Sequence, residues 1–162
     1  MVFLVRKVEK AKWLQKPITD GAEVSADAIT NCLKTKSNTI SVWEISEEKH
    51  INDAILALAS GADHIDTIDV VLLPRRSVID AGLFLESIPG ITPAQDLINS
   101  HRNISDLDYT SLGVLKNIIV DEFKKDRVIR YTRKQLITLI RNAITTGRLI
   151  RTSLKPDVLK VV

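Results

Sequence analysis

A layered α/β or α+β fold is predicted for this 162-residue chain by two observations. Strand-like segments alternate with segments whose apolar residues recur at helical spacing, a succession that favours sheets covered by helices over a bundle or a sandwich. With only 6 Gly and 5 Pro, no long flexible linker divides the chain. The expected form is a single layered domain over 1–162, with a small mixed sheet flanked by helices. The C-terminal third is read as helical, and 105–162 as a candidate C-terminal subdomain. A chain of this length buries roughly two thirds of its unfolded surface.

VFLVRKV (2–8) has the alternation of an opening strand. The chain then turns around Pro17 and Gly21. Ser25 is placed to cap a short helix, ADAITNCL, in which Ala26, Ile29 and Leu33 share a face. TISVWEI (39–45) is rich in β-branched residues and reads as a strand with Trp43 in the core. Ser46 is the expected cap of a helix over 47–60, which Gly61 ends.

TIDVVLL (67–73) is a continuous apolar run, which points to burial on both faces and a central place in the sheet. Ser77 with Asp80 resembles a capping box for a helix reaching about Glu86, and Pro89-Gly90 breaks it. Thr92, Pro93 and Gln95 form another start signal. A longer helix is predicted from about Asp106 to Lys125, then a short strand VIRY (128–131). Thr132 and Gln135 box the start of a helix over 133–146, closed by Gly147. RLIRT (148–152) reads as a last strand, and 155–162 as a short helix or tail.

Charge is the main functional clue. The net charge is only +3, but residues 1–123 hold 12 Lys and Arg against 18 Asp and Glu, a balance of −6. Residues 124–162 hold 11 basic and 2 acidic side chains, a balance of +9. Such segregation points to a basic region that binds something acidic, or that docks on the chain's own acidic part. On the helix over 133–146, Lys134 and Arg141 nearly eclipse along the axis, and Arg148 would extend their stripe if the helix persisted past Gly147. Arg130, Arg133 and Arg151 lie nearby in sequence.

Trp13, in the charged run EKAKWLQK, reads as an exposed docking residue beside Lys10, Lys12 and Lys16. The first expectation is therefore a non-catalytic binding module or complex subunit. It docks an acidic partner surface, or assembles as a homo-oligomer, through Trp13 and the basic C-terminal third. Nucleic acid bound by the same cations is the alternative, with phosphate contacts that weaken as salt rises. Tyr131 is the one aromatic after residue 123, which argues against stacking on bases.

A third candidate is the joint between the strand of 67–73 and the helix after it. Pro74, Arg75, Arg76 and Ser77 bring two guanidinium groups to a helix N-terminus, the ingredients of an anion site at which the chain would act as an enzyme on, or a sensor of, a small phosphorylated or carboxylate ligand. Asp63, His64, Asp66 and Asp69 precede the same strand, but their spacing matches no established metal motif, and no metal or cofactor is expected. His50, Cys32 and the triplet His101-Arg102-Asn103 lack a positioned partner in sequence. The glycines never cluster as a phosphate loop or dinucleotide fingerprint would require, so no reaction is indicated. A single cysteine, the lack of a long apolar span and a charge five residues in lead to the expectation of a cytoplasmic protein with no membrane segment.

Overall fold

Six strands form one sheet in the order β4-β5-β2-β1-β3-β6. The computed structural model describes residues 1–15, 17–18 and 24–162. The turn expected at Gly21, and Lys16 beside Trp13, lie outside them. The strands are β1 (Phe3–Val8), β2 (Ile40–Ile45), β3 (Ile68–Pro74), β4 (Phe84–Ser87), β5 (His101–Ser105) and β6 (Val128–Tyr131). Every pairing among the described residues is antiparallel. The layered α+β class holds, with an antiparallel sheet where a mixed one was expected.

Two helical layers cover the sheet, because its strands are apolar on both faces. On one side α3 (Ile51–Ser60), α6 (Arg133–Thr145) and α7 (Pro156–Leu159) pack on Phe3, Val5, Val70 and Leu72. On the other, α1 (Lys10–Trp13), α2 (Ala26–Cys32), α4 (Arg75–Asp80) and α5 (Tyr109–Lys124) pack on Leu4, Val8, Val71 and Leu73. The strand read as central, β3, is buried at every position and lies between β1 and β6.

Local signals explain most element ends. Ser25 caps α2 by accepting from the Ala28 amide at 3.2 Å. Thr132 and Gln135 form both halves of the expected capping box on α6, and Gly147 follows that helix at φ 73°. Helix α5 starts later than expected. Asp106 has a positive φ of 54°, which a helix cannot accommodate, and Asp108 caps the helix in a reciprocal box with Ser111.

Four sequence expectations are corrected. The helix placed after Ser77 begins at Arg75 and stops at Asp80, because Gly82 turns left-handed at φ 78°. Phe84–Ser87 then pairs with β5 as a strand. Ser46 does not cap an α-helix: Glu48–His50 forms a 3₁₀ turn ahead of α3, and the Ser46 hydroxyl meets His50 Nδ1 at 2.8 Å. The Thr92 start signal yields only a 3₁₀ turn over Gln95–Ser100, with the Thr92 hydroxyl buried against Ser60 and the Ala57 carbonyl. Finally, RLIRT is no strand, since the Arg148 and Leu149 amides both fold back on the Ala143 carbonyl. The triplet His101-Arg102-Asn103 lies on β5.

Candidate functional site

The structure separates the cations expected to act together. In the C-terminal third, seven of the eleven reach carboxylates. Arg130 holds Asp69 with two hydrogen bonds of 2.7 and 2.9 Å, and Arg148 bridges Asp53 and Asp96. Lys155 pairs with Asp63, and Lys125 and Arg127 both pair with Glu122. Lys124 and Lys160 pair with Asp121 and Asp157. Of the remainder, Arg133 donates to the Ile65 carbonyl, Arg141 to that of Val161 and Arg151 to that of Val162. Lys134 is exposed and has no ion pair among the described residues. The sequence concentrates positive charge after residue 123, and folding returns six of those cations to carboxylates of residues 1–123, while Lys160 pairs locally with Asp157.

Trp13 is corrected more sharply. It is 1% exposed, stacked on Phe123 with ring centroids 5.4 Å apart, and belongs to the core beneath α1. Its charged neighbours point outward while the indole anchors a four-residue helix. Alternation in a charged run concealed this, since one apolar residue per turn is enough to anchor a short helix.

The strand–helix joint is also occupied from within. Arg75 pairs with Glu44 at 3.0 Å, and Arg76 with Asp80 at 3.1 Å. Glu44 is shared with Arg102 at 2.8 Å. Ser77 lies inside α4 rather than capping it, and a six-residue helix offers little dipole. Asp63, His64, Asp66 and Asp69 do not converge: His64 and Asp66 meet each other at 3.4 Å, while Asp63 and Asp69 serve Lys155 and Arg130. No group of three or more potential metal ligands occurs among the described residues. Nor is any helix among them long and apolar enough to cross a membrane. Cys32 is buried and accepts a hydrogen bond from the Glu9 amide at 3.2 Å.

A different site emerges at the β4–β5–β2 end of the sheet, on the face that carries α3. A cavity of about 630 Å³ opens there. Its floor is Ser41 and Trp43 of β2, His101 and Asn103 of β5, and Glu86 of β4. Leu58 and Gly61 at the end of α3 form one wall, with Ile88, Pro89 and Ile91 beside them. Arg6, Lys34 and Lys36 bring positive charge to its margin. This volume falls within the range of small-ligand sites.

Arg6 is the least expected member. Alternation along β1 puts it on the face of Leu4 and Val8, opposite to that of Trp43 and Ser41, so it reaches the groove only at the sheet's open edge. Pairing between β1 and β2 covers only Phe3 to Val5, and the Arg6 guanidinium fills the gap beyond. Nη1 donates to the Ser41 carbonyl at 2.9 Å, while Nε and Nη2 donate to the Cys32 carbonyl at 3.3 and 2.7 Å. Burial pushes this guanidinium below its ordinary value, and the nearby Cys32 sulfur opposes that shift. It stays charged, because arginine does not lose its proton in proteins. Yet no carboxylate among the described residues neutralises Arg6, Lys34 or Lys36. The sequence did contain a signal: a charged residue between two core positions of an amphipathic strand.

The apolar wall is fixed by a close approach at Gly90. A Cβ there would fall 2.5 Å from the Trp43 ring and 2.8 Å from His101 Cβ. The Gly90 amide donates to the Ile98 carbonyl at 2.7 Å, and His101 Nδ1 lies 2.9 Å from the Ile88 carbonyl. His101 packs edge-on to Trp43 at 5.2 Å. Loop 88–91 is thereby clamped, and Ile91, fully exposed, stands at the mouth of the cavity.

Comparison with protein-family models, curated proteins and solved structures finds no match, so the site is interpreted from its own geometry.

Proposed function

We propose that this chain is a non-catalytic binding module whose recognition surface is the groove between the α2–β2 turn and loop 88–91, and that it takes an anionic ligand group there. The acidic character of the partner inferred from charge is kept, and the surface moves from the C-terminal third to the β2–β5–β4 end. One observation carries this. Three cations without a carboxylate partner among the described residues line a single groove, whereas the C-terminal third pairs seven of its eleven cations with the protein's own acids and spreads the other four, Arg133, Lys134, Arg141 and Arg151, along α6 and the segment after it. A partly buried guanidinium whose hydrogen bonds go only to carbonyl dipoles is under-compensated. A bound carboxylate or phosphate supplies the missing charge, with charge-assisted hydrogen bonds stronger than neutral ones. Ser41 and Asn103 add polar contacts, and Ile88, Pro89 and Leu58 an apolar wall.

The test is a ¹H–¹⁵N NMR titration with citrate and with inorganic pyrophosphate. Shifts should concentrate at Arg6, Lys34, Lys36, Ser41 and Asn103. The double substitution Lys34→Ala/Lys36→Ala should weaken binding about tenfold, the scale of one lost charge-assisted contact. Shifts spread evenly over the surface, or centred on α6, would overturn the proposal.

A further inference from the structure

The groove carries a negative group as well as positive ones, and strand register sets the spacing of the backbone positions between them. Ser41 pairs directly with Asn103, and Asn103 pairs directly with Glu86. Directly paired residues project from the same face, so Ser41, Asn103 and Glu86 form a row across β2, β5 and β4. Neighbouring strands are about 4.8 Å apart, which puts the ends of this row roughly 10 Å from each other. At the β2 end, Arg6 bonds the Ser41 carbonyl and Lys34 and Lys36 stand beside it. At the β4 end is the exposed carboxylate of Glu86, which has no ion pair among the described residues. Between them Ser41 Oγ and Asn103 Oδ1 lie 3.4 Å apart, and the apolar wall rises alongside.

We infer that the groove binds a linear zwitterion with its charges about 10 Å apart, and specifically a short peptide of about three residues with both termini free. This deepens the anionic-ligand proposal and rests on it. An extended peptide advances about 3.3–3.6 Å per residue, so three residues match the row and one amino acid does not. The terminal carboxylate meets Arg6, Lys34 and Lys36. The terminal ammonium meets Glu86. The peptide groups lie over Ser41 and Asn103, and a central apolar side chain rests on Ile88, Pro89 and Leu58.

Isothermal titration calorimetry with the tripeptide Ala-Leu-Ala tests the assignment, beside its N-acetylated form, its C-terminal amide, free leucine and citrate. The free tripeptide should bind most tightly, with N-acetylation and C-amidation each weakening it about tenfold, the scale of one charged contact. In Glu86→Gln, an exposed and isosteric change, the penalty for N-acetylation should fall below about twofold. Free leucine matching the tripeptide, or an N-acetylation penalty unchanged in Glu86→Gln, overturns the zwitterion assignment. If citrate and the acetylated peptide bind as well as the free tripeptide, and lose affinity in Lys34→Ala/Lys36→Ala, the zwitterion assignment fails while the anionic groove stands. If none of these probes binds, both fall.

Discussion

Asp69 on β3 and Arg130 on β6 face each other in register across the sheet, joined by hydrogen bonds of 2.7 and 2.9 Å. The Lys10 amide adds a third donor to the same carboxylate at 3.1 Å. The Arg130 bonds, with the Lys10 amide, hold the Asp69 carboxyl below its ordinary value, against a smaller opposing effect of burial. Because the folded-state value lies below the unfolded one, the pair's contribution is complete above about pH 4 and is lost as pH falls through the folded value. Asp69→Asn should therefore cost about 2 kcal/mol at neutral pH. Urea titrations of the two proteins should converge as the pH drops below about 4.

Gly90→Ala tests the clamped loop. The added methyl meets the Trp43 ring and the His101 side chain, neither of which can move without disturbing the groove floor. Overpacking of this kind costs about 1–3 kcal/mol. The thermal midpoint should fall, and Trp43 fluorescence should change even in the folded protein.

Trp13→Ala separates a core role from a docking role. Removing a fully buried indole costs about 3–5 kcal/mol. Denaturant unfolding should register that loss, whereas Trp13→Phe should recover much of it and keep the contact with Phe123. Citrate titration of the groove should give the same affinity in Trp13→Phe as in the parent.

On α6, Thr132→Ala removes the acceptor for the Gln135 amide and half of the reciprocal box. Loss of about 1 kcal/mol is expected. Hydrogen exchange should localise the loosening to the first turn of the helix, with amides in β3 unchanged.

Periodicity and capping chemistry were the legible parts of the fold. β1, β2, β3, β6, α2 and α6 are each marked by alternation, an apolar run or a cap, and these signals act within a few residues of where they are written. What misled was the neighbourhood of Gly82. An amphipathic reading ran through it, although a glycine flanked by Ala81 and Leu83 is a natural left-handed stop. Long-range charge pairing was invisible for a different reason. Asp69 and Arg130 are 61 residues apart, and Asp63 and Lys155 are 92 apart, so nothing local records that they meet. The groove was missed because its cations come from β1 and the α2–β2 turn, in the part of the chain whose net charge is negative. Average composition hid them, although the place of Arg6 between Leu4 and Val8 on one face of β1 was a signal for one of them.

The separation of opposite charges along the backbone acts before any native contact exists. In the unfolded polypeptide, the last forty residues are drawn toward the first 120 by an attraction that reaches about a Debye length, some 10 Å at 0.1 M salt. That pull favours the late, distant closures of β6 onto β3 and of the C-terminal segment onto the turn at Asp63. Refolding should accordingly slow as ionic strength rises, and the folding limb of a chevron should respond more than the unfolding limb.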